Sequence, residues 1–504
     1  MVVTVRSLGL GGISGYEVSA ECFLSGGLPA FDVVGLPDAA VREARERVRA
    51  AVKNCGARFP VSRITVNLAP AGQKKAGTFY DLPIFVGILA ASGEVPPLPP
   101  DAAFVGELSL TGALRRVNGV LPMALAARAA GIRQLFVPAE NAAEATLAGG
   151  LTVYGVPDVQ TLTAHLRGRE ALSPAPVWTP GGDEVSLPDL RDVMGQENVK
   201  RALEIAAAGG HNLLLIGPPG AGKSMLAKRL PSILPDMTRE EALTVSGVWS
   251  VAGLTDPRHP LLTRRPFRSP HHTASASAVI GGGPAMRPGE VSLASSGVLF
   301  LDELPEFQRT VLDSMRQPLE ERRVQIARAS GVVTFPSDFM LVAAMNPCPC
   351  GYYPDRNKCR CTQPQIEKYL GKVSGPLLDR IDLCVELQPV DILHLQTKIT
   401  GESSEQMRER IERARKMQEK RYAGTEYRFN GDVSSADVDH YCSLGETEKN
   451  VMEQLYHTLE LSARAYHRIL KTARTIADLE EQENIAKEHL LEAACYRPSG
   501  EYWG

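Results

Sequence analysis

The chain has 504 residues, too many for one ordinary core, so two or three domains are expected. Hydrophobic residues make up 44% and charged residues 22%, the composition of a soluble globular protein with enough apolar material for real cores. A net charge of -3 gives no global bias toward nucleic acid or membrane, so any polyanion site must be a local patch.

The amino terminus, MVVTVRSLGLGG, has no charged leader followed by an apolar run, and no signal peptide is expected. The alternating pattern Arg63-Ile64-Thr65-Val66-Asn67-Leu68 predicts a strand, and the Ala-rich stretch Leu121 to Ala130 a helix, within a first domain over residues 1–168. The best apolar stretch, Leu82 to Ala91, is half the roughly twenty residues of a membrane span, so it is expected to be buried and no membrane partner is expected. Residues 169–189 read as a linker, because Ser173-Pro174-Ala175-Pro176-Val177-Trp178-Thr179-Pro180-Gly181-Gly182 is rich in breakers and lacks periodicity. From Leu190 the pattern becomes helix, strand, glycine-rich turn and helix, which predicts a parallel α/β domain over 190–395. Beyond about Pro389 strand signals fade, and helical patterns fill residues 396–504. The expected fold class is α/β and multidomain.

The strongest motif is His211-Asn212-Leu213-Leu214-Leu215-Ile216 followed by Gly217-Pro218-Pro219-Gly220-Ala221-Gly222-Lys223-Ser224. An apolar run of strand length feeds a glycine-rich loop, and Met225 to Leu230 continues as a helix, which is the context a phosphate-binding loop requires. Small residues let backbone N–H groups wrap phosphates at the positive end of the new helix. Lys223 is expected to reach the β- and γ-phosphates of ATP, and the Ser224 hydroxyl to hold magnesium. A second signal is Val298-Leu299-Phe300-Leu301, apolar as a central parallel strand should be, ending in Asp302-Glu303. Asp302 is placed for the magnesium shell and Glu303 to orient or deprotonate the attacking water. A third strand, Phe339 to Met345, ends in Asn346, an amide suited to the γ-phosphate or the lytic water. In Gly375-Pro376-Leu377-Leu378-Asp379-Arg380-Ile381-Asp382 an arginine stands between carboxylates. Two readings of Arg380 stay open: a local ion pair, or an arginine finger reaching a neighbouring subunit's γ-phosphate.

With these residues in hand, the chain resembles the YifB/ComM family of magnesium-chelatase-like AAA+ proteins along its whole length. Arg268-Ser269-Pro270-His271-His272, Gly281-Gly282-Gly283, Pro288-Gly289-Glu290, Leu301 to Phe307 and Leu461 to Leu470 carry that resemblance. It implies that Asn346 is sensor 1, Arg380 the finger and Arg464 a sensor 2 arginine on a carboxyl-terminal helical lid. It also implies a homo-oligomeric ring, a hexamer by likeness, driven by ATP in the cytoplasm. ComM members drive branch migration of DNA during natural transformation, so branched or single-stranded DNA is the expected partner.

Residues 257–289 contain no carboxylate but do contain Arg258, Arg264, Arg265, Arg268 and Arg287, a local imbalance that suits a polyanion. By resemblance this stretch includes a hairpin insertion facing the central pore. The alternative is a solvated loop whose arginines contact nucleotide phosphates. In the lid, Leu461, Ala465, Ile469, Thr472 and Ile476 follow the spacing of one helix face and are expected to be core. Nine cysteines is an odd number, and Cys348, Cys350, Cys359 and Cys361 crowd together, against a secreted disulfide framework and for a reducing cytoplasm. Those four can close one tetrahedral zinc site; free buried thiols or a redox pair are the other readings.

Gly106 to Gly112 with Asn118-Gly119-Val120 and Val137-Pro138-Ala139-Glu140-Asn141 resembles the proteolytic domain of Lon proteases, which implies an S5-like α/β fold for the first domain. A Ser–Lys protease is opposed by the sequence. No lysine occurs between Lys75 and Lys200, and Leu121 occupies the position matching the catalytic lysine, so a serine would not be activated. The leading expectation is a ring-forming ATPase motor on DNA, and the alternative is a chelatase-type ATPase that remodels a protein partner.

Overall fold

A computed structural model describes residues 2–181, 187–283, 286–328, 331–388 and 401–497. Residues 182–186 of the expected linker and the expected boundary at 395/396 lie outside the described residues.

The amino-terminal part is a seven-stranded sheet in the order Ala30–Val34, Arg63–Ala69, Ser14–Ser25, Val2–Gly11, Ala102–Phe104, Gln134–Pro138 and Thr152–Val156. Val2–Gly11 and Ser14–Ser25 form an antiparallel hairpin, and the strands from Val2–Gly11 to Thr152–Val156 run parallel. In Arg63–Ala69 alternate residues Ile64, Val66 and Leu68 are buried, the period-two pattern of a sheet with one covered face. The apolar stretch near residue 85 is the core helix Asp81–Ala91, whose residues from Asp81 through Leu89 are all buried. The expected Ala-rich helix is Val120–Ala129. Among the described residues no helix is long and apolar enough to cross a membrane.

The central part is a five-stranded sheet in the order Phe267–Arg268, Val298–Leu301, Met340–Met345, Leu213–Ile216 and Leu383–Glu386. All four pairings are parallel. Every residue of Val298–Leu301, Met340–Met345 and Leu213–Ile216 is buried, because helices cover both faces. Leu213–Ile216, the first of the five in the chain, lies between the fourth and the fifth. At such a switch point the loops at the carboxyl ends part and leave a crevice.

Helices Ser404–Arg421, Glu446–Thr458, Ala463–Leu479 and Lys487–Cys495 follow. Leu461, Ala465, Ile469, Thr472 and Ile476 are buried, as the helical spacing predicts. Leu461, Ala465, Ile469 and Ile476 share a core with Leu213, Leu215, Phe300 and Val342 on one face of the central sheet. Leu214, Ile216, Leu299 and Leu341 point to the other face, where they pack with Val279, Val311, Phe335 and Cys348.

The amino-terminal part is fastened to the helix Arg239–Ala252 of the central part. Buried Glu144 accepts the Leu121 N–H at 3.0 Å and the Ser250 hydroxyl, while the Gly119 N–H donates to the Ser250 carbonyl at 3.1 Å.

Candidate nucleotide site

At Gly220 and Gly222 the backbone has φ of +80° and +89°, the left-handed region that favours glycine. These two turns fold the loop over the end of Leu213–Ile216 before the helix Lys223–Ala227 begins. Lys223 Nζ lies inside the loop and donates to the carbonyls of Gly217 (2.6 Å) and Pro218 (3.0 Å) and to Asn346 Oδ1 (3.0 Å). Half-burial strips hydration from its ammonium and holds its pKa below the usual lysine range, with Asp302 and Glu303 partly offsetting the effect.

The Ser224 hydroxyl donates to Asp302 Oδ2 at 2.6 Å, and the Glu303 N–H donates to Asp302 Oδ1 at 3.0 Å. Hydroxyl and carboxylate oxygens at this separation are the hard donor set that magnesium accepts, with waters completing its shell. Glu303 has φ of +53°, a left-handed conformation that costs energy in a residue with a Cβ and that recurs at functional sites. Its Oε2 lies 3.1 Å from His272 Nδ1. The ends of three parallel strands therefore converge, and the acid-free segment 257–289 contributes His272 to the same cluster. Beside it, an open depression of about 730 Å³ is lined by residues including Glu303, Asn346, Cys350, Cys361 and Tyr369.

Two arginines expected at nucleotide are held elsewhere in this chain. Arg380 donates to Glu320 and to the Pro376 carbonyl, so its partner is neither Asp379 nor Asp382 as the local sequence suggested. Arg464, at the start of Ala463–Leu479, donates to Asp379 at 2.8 Å. Neither joins the Lys223 cluster through these contacts.

The basic stretch also differs from expectation. Arg265 is almost wholly buried; it donates to the carbonyls of Pro235, Asp236 and Ser296 and pairs with Glu241 at 3.1 Å. Arg268 forms a bidentate pair with Glu290 at 2.6 and 2.8 Å, and its guanidinium stands over Trp249. Both guanidinium groups are engaged by other parts of the chain. Their partners come from outside residues 257–289, which is why the stretch looked unbalanced. Arg264 is half-buried and Arg287 exposed. Gly281–Gly282 and Arg287–Pro288 pair as a short ribbon beside a second hairpin, Arg323–Arg328 with Gly331–Pro336. Residues 322–337 likewise lack any carboxylate, and Arg323 and Arg328 are exposed. The signal that singled out 257–289 could have found this hairpin too.

In the amino-terminal part, Ser109 exchanges hydrogen bonds with Thr111 Oγ1 and the Ala113 N–H, and Leu121 is fully buried. The buried Lys75 donates to the carbonyls of Pro70 and Gln73.

A phosphate-type loop after the first strand of this sheet, carboxylates after the third-ranked strand and an amide after the next define a P-loop ATPase of the AAA+ type. Residues 189–395 match the family described as magnesium chelatase, subunit ChlI. Residues 20–141 match subunit ChlI of Mg-chelatase, and residues 401–497 the ChlI carboxyl-terminal family. The chain is 45% identical over 489 residues to the uncharacterized protein YifB of Salmonella typhimurium, covering 96% of this chain and 95% of that protein. It is also 45% identical over 500 residues to competence protein ComM of Haemophilus influenzae, with the same coverage. Lon protease 2 of Bacillus subtilis is 25% identical over 267 residues, 46% of each chain. The chain belongs to the YifB/ComM family of magnesium-chelatase-like AAA+ proteins, for which ATP and magnesium are implied.

Proposed function

We propose that this chain is the subunit of a ring-shaped, ATP-driven motor that moves on branched or single-stranded DNA, in the manner of ComM-type branch migration. In this reading the loop from Gly217 to Gly222 and Lys223 hold the phosphates, Ser224 and Asp302 hold magnesium, and Glu303 takes the proton of the attacking water. Magnesium held there would supply positive charge that offsets the charge of the phosphates. Asn346 positions the γ-phosphate. Arg380 and Arg464 act once subunits assemble, with Arg380 exchanging Glu320 for the γ-phosphate of a neighbour's ATP.

The observation that carries the DNA reading is the His272–Glu303 pair. It ties the acid-free segment to the water-activating carboxylate, so a polyanion gripped by that segment would be felt at the site of hydrolysis. Exposed Arg287, Arg323 and Arg328, on two adjacent ribbons, are the contacts proposed for DNA. The printed name of the Haemophilus relative, a competence protein, supports the same reading. The test is ATP-dependent resolution of a labelled four-way junction. Junctions that remain intact with ATP and magnesium, under conditions where the protein hydrolyses ATP, would remove the branch-migration reading.

A second reading is a chelatase-type ATPase that remodels a protein partner. It is favoured by the fastening of the amino-terminal part to Arg239–Ala252 through Glu144, which would transmit movement of the central part to a substrate-gripping module. A protease is disfavoured, because the position matching the catalytic lysine is buried Leu121.

A further inference from the structure

The four clustered cysteines have no part in the hydrogen-bonded site above, yet their segment leaves Met340–Met345 immediately after Asn346. No helix or strand occurs between Met345 and Gln363, so the backbone there lacks the usual means of fixing its shape. The four Sγ atoms nonetheless lie within 4.8 Å of one another. Cys348 and Cys350 are 3.3 Å apart, Cys350 and Cys359 3.6 Å, and Cys348 and Cys359 3.8 Å. Four thiolates around zinc, at about 2.3 Å from the metal, stand roughly 3.8 Å apart along the edges of their tetrahedron. Both C-x-C pairs feed this one cluster.

The surrounding backbone supports it. The Tyr353 N–H donates to Cys348 Sγ at 3.4 Å, the Gly351 N–H to the Cys348 carbonyl at 3.0 Å and the Cys359 N–H to the Asp355 carbonyl at 2.7 Å. Arg356 and Lys358 lie between the two pairs and Arg360 within the second; with Asp355, which pairs with Lys358 at 3.5 Å, they leave the stretch with net positive charge, which would offset part of the negative charge of four thiolates on a divalent ion.

The same segment leans on the phosphate loop at three points. The Met345 carbonyl accepts the Gly217 N–H at 3.2 Å, and Asn346 Oδ1 accepts from Lys223 at 3.0 Å. Gly351, at φ of +85°, packs so closely on Pro219 that a Cβ there would stand 2.4 Å from the proline Cδ.

We propose that Cys348, Cys350, Cys359 and Cys361 hold one structural zinc ion, and that the knuckle so formed braces the phosphate loop through Gly351 and Pro219. The metal site stands on the cysteines alone; the brace rests on the reading of this loop as an ATP site.

The test begins with elemental analysis of full-length protein purified without chelators. About one zinc per chain is expected, released when a mercurial reagent modifies the thiols and followed with a zinc indicator. Cys361→Ser, at a half-buried ligand, should lose the zinc and lower the melting temperature. Gly351→Ala should keep the zinc and bind a fluorescent ATP analogue several-fold more weakly. Iron in place of zinc, or protein that stays far below one zinc per chain after supplementation while all four thiols react freely, overturns the metal site. Gly351→Ala with wild-type nucleotide affinity overturns the brace. A wild type that holds zinc but binds no analogue refutes the ATP reading and the brace with it, and leaves the metal site standing.

Discussion

Lys223, Ser224, Asp302 and Asn346 come from three separate strand ends, yet each is hydrogen-bonded to another of the four. Lys223→Ala removes the cation at the phosphates, so nucleotide binding should fall below detection in a fluorescent-analogue titration. Glu303→Gln keeps the shape but not the basicity of the residue assigned to the water. It should bind ATP normally and release phosphate at least a hundredfold more slowly, about the lower limit expected for loss of a general base. Full turnover in Glu303→Gln would remove that residue from the mechanism. His272 engages the Glu303 oxygen that would receive the water's proton. His272→Ala should therefore raise basal hydrolysis and shrink any stimulation by DNA, both read from steady-state phosphate release. That these residues meet was legible in sequence, because the phosphate loop and the Asp302-Glu303 pair are local signatures attached to strands. The partner of Glu303 was not legible, since His272 lies in another segment and only the folded sheet brings it near.

At the scale of elements, two of the arginines of residues 257–289 are balanced by acids that other segments bring to them. Arg265 and Arg268 fasten the segment after Arg239–Ala252 to Glu241 and Glu290, and neither partner lies within residues 257–289. Removing Arg265 strands Glu241 and three carbonyls, a loss of about 3 kcal/mol by analogy with broken buried pairs. Arg265→Ala should thus lower the urea midpoint of unfolding with no specific effect on DNA. The triple replacement of Arg287, Arg323 and Arg328 by alanine should do the reverse. Stability should hold, DNA affinity should drop across sequences, and the salt dependence of binding should flatten as fewer counterions are released. An unchanged salt slope would assign these side chains to solvent. The core stripe of Ala463–Leu479 was legible because a helix face repeats within a few residues. The ties of Arg380 to Glu320 and of Arg464 to Asp379 span 60 and 85 residues and follow no local period.

For the whole molecule, the parallel sheet and its helices were legible from the alternation of strand, turn and helix. The docking of the amino-terminal part was not, because it depends on buried Glu144 meeting Ser250 across 106 residues. Assembly carries the proposed roles of Arg380. Mixing Arg380→Ala with Lys223→Ala subunits should restore part of the hydrolysis that each lacks, since each mixed interface can pair an intact loop with an intact finger. No recovery in confirmed mixed assemblies would leave Arg380 as the structural partner of Glu320. That DNA governs the turnover of this ATPase is tested most directly by steady-state ATP hydrolysis of the wild type with and without a four-way junction or single-stranded DNA. Magnesium-dependent hydrolysis that rises several-fold with DNA is the predicted result; hydrolysis indifferent to every DNA, by a protein that also fails to bind it, would contradict the account.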